Sequence, residues 1–403
     1  MSSVFANCGK GVLQNGSSFM HTFFGVKDLE IISYTDKLKA LYELCYFKET
    51  DGNLFYQFKA DSTLLYISYL KSSETARFIL EEGTGVSVCD FGYNCTEKIF
   101  DNTVFSQYSL HYDAMIKGTT CDCGMNYIFR LHDGSVIIID GGEMEQSTDI
   151  ALADYWEFLK EITEKNENEK IRVSMWLCTH AHNDHADFFG KLLLLHGDEL
   201  TVERMAFDFP LNENTAHSPS MTQTVQRIIK NNPNVKYLKL HSGMTFNICN
   251  AQIDIYCSGE EAVDVYDGVI FPGLNDTSIS FSVTADGNKA VFLADMGERN
   301  GKVFIESFKG SVKNTVFLQA AHHGINSLYN IYEQLNTKFL FLPQCKMNME
   351  TRFPDTFEHF IKLFGCENIL LAHDKTDIFI LKDSSFERKS RKHVGCQWDN
   401  SEW

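Results

Sequence analysis

Four predominantly apolar stretches of the chain each close on ionisable side chains: residues 136–139 before Asp140, 171–178 before Thr179 and His180, 290–294 before Asp295, and 316–321 before His322 and His323. A segment apolar at consecutive positions suits a strand covered on both faces. Between these stretches the period changes. Ser147 or Thr148 can cap a helix running to about residue 165, with Ile150, Leu152, Tyr155, Trp156 and Leu159 on its apolar side. Further helices are predicted over residues 186–195 and 222–230. Residues 127–131 and 135–140 read as a hairpin around Asp133-Gly134, and residues 279–283 alternate as in a half-buried strand. Residues 204–209 predict another strand. Residues 235–256 predict short strands around the turn His241-Ser242-Gly243, where His241 is expected to be exposed. Strands at 339–342, 369–373 and 378–381 are expected to complete a second sheet.

The first 117 residues follow another pattern, with candidate strands at 54–58, 63–70 and 77–80 beside the turn signals Asp51-Gly52-Asn53 and Glu82-Gly83. Aromatics are dense here, which predicts a packed α+β extension over residues 1–117 rather than a disordered arm. The main domain is then expected over 118–385, and the basic run at 387–393 is read as part of a solvated C-terminal tail over 386–403.

At 403 residues the chain can hold one large domain with an extension, or two domains. It has no apolar run of about 18 residues and no basic-then-apolar start, so no membrane span, no export signal and a cytoplasmic location are expected. Twelve cysteines are scattered, among them Cys45, Cys89, Cys178, Cys249 and Cys257 within apolar runs, and are read as reduced core residues. Cys121-Asp122-Cys123 lacks C-x-x-C spacing and is read as structural. A formal charge of −18 repels phosphate backbones at long range and disfavours indiscriminate nucleic-acid binding.

The chemistry concentrates in Thr179-His180-Ala181-His182-Asn183-Asp184-His185, which puts three imidazoles and a carboxylate at H-x-H-x-D-H spacing just after an apolar strand. Residues two apart on an extended segment share a side, so His180 and His182 can pinch one ion, while Asp184 and His185 can face a second. Imidazole with carboxylate suits zinc, and also iron or manganese, better than the oxygen cages of calcium or magnesium. A carboxylate has two oxygens, so Asp295 at a strand end can bridge a pair of ions. His322 and His323 are adjacent, so one is expected as a ligand and the other as a substrate contact or proton donor, without a decision as to which.

The heptapeptide, together with Asp140-Gly141-Gly142, Asp295 and His322-His323-Gly324 in that order, resembles the metallo-β-lactamase superfamily over roughly residues 118–382. The resemblance implies an α/β fold: the αβ/βα sandwich of two mixed sheets, helices outside and metals at one edge, here with an N-terminal α+β extension. It implies two divalent ions, zinc first and manganese or iron as alternatives, held by His180, His182, Asp184, His185, Asp295 and His322 or His323. Asp140 is then a brace for the metal loop, fixing a ligand histidine rather than binding an ion. Asp184, His322 and His323 would be catalytic, orienting a metal-bound hydroxide or protonating a leaving group.

One departure stands out. Where many relatives carry a further histidine, this chain has Asn275-Asp276, which leaves the first ion to be completed by water, by Asp276, or by His217 from its loop. In this it resembles the subgroup of ComEC-type hydrolase domains and phosphorylcholine esterases, which also end in His-His-Gly. That likeness implies hydrolysis of a small phosphoester. A lactone, thioester or β-lactam hydrolase is the alternative, and a non-catalytic metal-binding or interaction protein is the alternative of another class. A small-molecule ester is the expected partner, with homo-oligomerisation open.

Overall fold

Strands rich in β-branched and aromatic residues, punctuated by tight turns, build three sheets. The computed structural model describes residues 11–14, 18–82, 86–110, 124–143, 147–166, 168–208, 219–261, 274–325, 328–335, 337–372 and 375–394.

The first sheet is antiparallel and holds β1 (Gly11–Gln14), β2 (Ser18–Phe24), β3 (Glu43–Thr50), β4 (Asn53–Ala60), β5 (Thr63–Leu70) and β6 (Thr75–Glu82), in the spatial order β1-β2-β6-β5-β4-β3. The Asp51-Gly52 turn joins β3 to β4 with both residues at positive φ, the two-residue hairpin geometry that such residues favour. Period-two alternation then gives the sheet two buried faces. Leu54, Tyr56, Phe58, Leu65 and Ile67 face α1 (Asp28–Lys39), which contributes Ile31 and Leu38. The opposite set, Phe55, Tyr66, Leu70 and Ile79, merges into the main core of the molecule. The extension is therefore packed, as expected, and shares its core with the domain that follows.

After α2 (Val88–Phe91) the chain lays down β7 (Thr103–Gln107), β8 (Asn126–Arg130), β9 (Val136–Asp140), α3 (Asp149–Thr163), β10 (Ile171–Leu177), α4 (Asp187–His196), β11 (Leu200–Val202), β12 (Arg204–Phe207), α5 (Pro219–Asn231) and β13 (Lys236–Lys239). The next sheet collects β14 (Thr245–Ile248), β15 (Ala251–Cys257), β16 (Ser280–Ala285), β17 (Asn288–Phe292), β18 (Thr315–Gln319), β19 (Phe339–Leu342) and β20 (Ile369–Leu371) in sequence order. Its helices are α6 (Glu298–Phe308), α7 (Tyr329–Leu335), α8 (Lys346–Arg352) and α9 (Pro354–Phe364). Finally β21 (Lys375–Lys382) and β22 (Ser385–Lys392) return to the earlier sheet, which reads β13-β12-β10-β9-β8-β7-β21-β22 with β11 also on β10.

Side-chain alternation decides which layer each residue joins. Ile137 and Ile139 on β9 and Met175 and Leu177 on β10 enter the core between the two mixed sheets, beside Phe292, Phe317 and Phe341. Ile138 and Trp176 point the other way, to Leu152, Tyr155, Leu159, Phe188 and Phe189 of α3 and α4. Strands buried on both faces, as the apolar runs predict, thus build the αβ/βα sandwich that the family resemblance implies. No helix among the described residues is long and apolar enough to cross a membrane.

Several expectations are corrected. The boundary at 118 falls too late, because β7 already lies in the sandwich sheet between β8 and β21. Of the residues expected as a tail, 386–392 instead belong to β22, which pairs with β21 over its whole length from Lys375↔Lys392 to Lys382↔Ser385, while 395–403 lie outside the described residues. The basic side chains here find acids: Arg391 of β22 and His393 just after it both reach Asp154 of α3, and Arg388 reaches Asp377. Strand β21 does not complete the second mixed sheet but crosses to β7 of the other. Ile150 of the predicted apolar helix side is 56% exposed. Cys249 is joined to Cys95 as a disulfide rather than reduced, in a region where Tyr93 bridges to Ile248. Cys45 and Cys89 lie outside the core, Cys89 exposed and Cys45 half-buried. Cys121 to Cys123 lie outside the described residues.

His241 is the largest reversal. It is fully buried, stacked on Tyr66 of β5, with Nε2 2.8 Å from Glu81 of β6 and Nδ1 on Glu260. Burial alone would lower its pKa, but Glu260 and Glu81 outweigh that and hold it at about 10.

Candidate metal centre

Parallel strands deliver their polar ends to one edge of the sandwich, and that edge is where open α/β sheets bind ligands. Asp140 closes β9, Thr179 and His180 follow β10, Asp295 follows β17, and His322 and His323 follow β18. The backbone there is unusual. Asp140, Ala294, His322 and His323 all take positive φ, between 48° and 58°. Such conformations cost of order 1–3 kcal/mol each for non-glycine residues and persist only where the surroundings enforce them. Here Gln319 enforces one: its Oε1 accepts from the backbone N–H of Leu293 at 2.8 Å and of Ala294 at 2.6 Å, and its Nε2 donates to the Ala294 carbonyl at 3.1 Å. The His322 N–H then donates to the same carbonyl, tying the Asp295 turn to the histidine turn. Glycine is required twice nearby. A Cβ on Gly142 would lie 2.1 Å from Leu110, and one on Gly324 2.2 Å from Leu342, both at positive φ.

The structure brings the expected ligands together in two groups that share Asp295. One comprises His180, His182 and Asp295, the other Asp184, His185, Asp295 and His323, with ligand atoms in each group within 4.8 Å of one another. His180 Nε2 lies 2.9 Å from His182 Nδ1 and 3.7 Å from Asp295 Oδ2. On the other side His185 Nε2 lies 3.4 Å from Asp295 Oδ1, and His323 Nε2 lies 2.9 Å from Asp184 Oδ2. Asp295 Oδ1 faces His185, while Oδ2 faces His180 and, at 3.6 Å, His323, so the one carboxylate is common to both groups.

Asp140 sits behind this array. Its Oδ2 lies 2.8 Å from His185 Nδ1 and its Oδ1 accepts from the Thr179 N–H at 2.8 Å, so it fixes the ring that turns Nε2 inward. The two adjacent histidines differ in place. His323 is buried inside the second group, whereas the His322 side chain is 27% exposed at the rim, 3.8 Å from Asp295 and 3.4 Å from Asn275 Nδ2. They separate through a left-handed turn, since β18 has ended at Gln319. Asp276 stands beside Gly297, its backbone carbonyl accepting from Asn300, and is in neither ligand group. His217 lies outside the described residues.

The donor set fits a metal on independent grounds. His185 Nε2 and Asp295 Oδ1, 3.4 Å apart, are buried polar atoms with no hydrogen-bond partner among the described residues, a costly state that a cation relieves. His180 is held neutral, its pKa pushed well below the usual value by burial and by His185. For His323, burial would lower the pKa, but Asp295 and Asp184 outweigh it and raise it to about 9. His185 is likewise raised, against burial, by Asp140, Asp184 and Asp295. In the metal-free chain at neutral pH both therefore carry protons that a metal must expel. Zinc affinity is accordingly expected to strengthen about tenfold per pH unit for each proton lost, up to pH about 9. Calorimetry in buffers of different ionisation enthalpy reads the released protons directly, and zinc uptake at pH 7 without proton release would contradict the assignment.

The family model of the metallo-beta-lactamase superfamily matches residues 122–342, more than half of the chain. No curated protein sequence matches. Among solved structures, CmlA, a diiron beta-hydroxylase from Streptomyces venezuelae, is 10% identical with a TM-score of 0.39, over 87% of this chain and 75% of that one. The MIM-1 metallo-beta-lactamase from Novosphingobium pentaromativorans is 13% identical with a TM-score of 0.31, over 60% and 85% respectively. A motif mutant of a metallo-beta-lactamase from Cronobacter sakazakii is 13% identical with a TM-score of 0.24, over 48% and 69%.

Proposed function

Given that the chain belongs to the metallo-β-lactamase superfamily, we propose that it is a metal-dependent hydrolase acting on a small phosphoester. The observation that carries the reading is the pair of ligand groups sharing Asp295 beside a histidine that stays accessible. A purely structural metal shell is closed by protein ligands, whereas His322 is 27% exposed and Asp184 16% exposed at this one. Two divalent ions in these groups would supply Lewis acidity and a water acidified to a pKa of about 7.

The chain's own residues do the rest. Asp295 and Asp184 set the negative charge of the floor, and Asp140 keeps the His185 ring from rotating. In this reading His322 Nε2, at the mouth, would give a proton to a leaving ester oxygen, and Asn275 Nδ2, 3.4 Å from it, would donate to a non-bridging oxygen. The net charge of −18 favours a small ester over a long polyanion. The His-His-Gly ending and the Asn275-Asp276 departure support a phosphoester, as in the subgroup the sequence resembles.

The zinc- or manganese-loaded protein is expected to turn over bis-(p-nitrophenyl) phosphate or a phosphomonoester faster than a lactone, a thioester or a chromogenic β-lactam. Preference for one of the last three moves the substrate class and keeps the hydrolase. Full metal loading with no turnover of any of them sinks the hydrolase reading.

A further inference from the structure

The same edge of the sandwich carries another cluster of ligand-type side chains, away from Asp295. Asp208 follows β12 and His241 follows β13, one and two strands beyond Thr179 at the end of β10. Two strand spacings set His241 about 10 Å from that strand end. Glu260, after β15, approaches from the other mixed sheet. Each of the three offers one ligand atom, all within 4.8 Å, and their exposures are 6%, 0% and 1% in chain order.

We propose that Asp208, His241 and Glu260 form a further binding site for one divalent transition-metal ion, separate from the groups around Asp295. An imidazole with two carboxylates suits zinc, manganese or iron.

The arrangement repeats what is seen at His185. There a carboxylate outside the ligand group, Asp140, holds one ring nitrogen and leaves the other facing the group. At His241 the outside carboxylate is Glu81, 2.8 Å from Nε2, which leaves Nδ1 on Glu260. A second observation is independent of that one. Glu260 Oε2 is fully buried without a hydrogen-bond partner among the described residues, as is Asp295 Oδ1 at the metal centre. Buried charge points the same way. The carboxylates of Asp208, Glu260 and Glu81 surround one ammonium, Lys239, whose Nζ is 3.5 Å from Asp208 and 3.6 Å from Glu81. In the metal-free chain His241 is protonated between Glu260 and Glu81, and burial raises Asp208 to about 7; once an incoming dication has expelled these protons, three carboxylates face one ammonium and the dication balances the charge. Glu261, next along the chain, is engaged elsewhere, accepting from Ser242 and facing Arg77. Because Glu81 belongs to β6, an ion here would also pin the N-terminal sheet to the edge that carries the metal centre.

Anomalous scattering at the zinc edge, from crystals of the unaltered chain grown with zinc chloride, tests this directly. A peak is expected among the three side chains at about 2.1 Å from His241 Nδ1. Absence of a peak there, whether or not the groups around Asp295 are filled, overturns the proposal. Zinc counting by equilibrium dialysis gives a second reading. Glu260→Gln and Asp208→Asn each remove a buried negative charge at nearly constant volume, and each is expected to bind one zinc fewer than the unaltered chain. Equal counts in the unaltered chain and both variants overturn the site as well.

Discussion

Replacing Asp295 by asparagine is expected to lower kcat/KM for whichever ester is turned over by about a thousandfold or more, roughly 4 kcal/mol of transition-state stabilisation. Asparagine keeps the shape but offers one acceptor oxygen in place of two and no charge. Both ligand groups include Asp295, with Oδ1 toward His185 and Oδ2 toward His180 and His323, so a single substitution disables both at once. Metal content measured by elemental analysis on the same sample should fall together with activity. A variant that retains both its metal and its activity within about tenfold would show that the two groups do not depend on a shared carboxylate.

The second large effect concerns the N-terminal sheet. Phe55→Ala is expected to destabilise the whole molecule by about 4 kcal/mol, in the range measured for large aromatic truncations in cores. Phe55 is fully buried in the core cluster that also holds Phe308 and Tyr256 of the sandwich, stacks on Phe308 at 6.3 Å, and fills the space over Gly243. Phe47, on the neighbouring strand but 50% exposed, is the control, expected to change stability by under about 1 kcal/mol when truncated. Denaturant unfolding followed by two probes should show one transition shifted for Phe55→Ala. If instead an early transition separates from an unshifted late one, the sheet is an independent unit and its shared core contributes little.

How much of this was legible in the sequence depends on how local each signal was. The metal loop was readable because four ligand-type side chains fall within six consecutive positions, and Asp140 because Asp140-Gly141-Gly142 after an apolar strand matches the motif of the family the sequence resembles. The hairpin at Asp133-Gly134 and the helix capped by Thr148 were readable for the same reason: the cap hydroxyl accepts from Ala151 N–H three residues on. Signals that arise only from folding were missed. His241 looks like a turn residue beside Ser242-Gly243, and nothing nearby reveals that Tyr66 and Glu81, about 160 residues or more upstream, bury it. Strand β22 reads as a tail because edge strands avoid aggregation by carrying charge, and its acids lie on Asp154, Glu161 and Asp377 of other elements. Gln319 left a faint trace, a lone polar residue inside the apolar run 316–321, and its role became visible only with the Ala294 turn in place.

The central claim is that Asp295 joins two metal ions held by imidazoles on one side and by imidazole and carboxylate on the other. X-ray absorption at the zinc edge of the loaded protein tests it most directly. The expected spectrum has a nitrogen and oxygen first shell at about 2.0–2.1 Å, imidazole scattering beyond it, and a zinc–zinc distance of about 3.5–4 Å. A sulfur first shell, or imidazole scattering with no metal–metal vector in protein carrying two zinc ions, would contradict it.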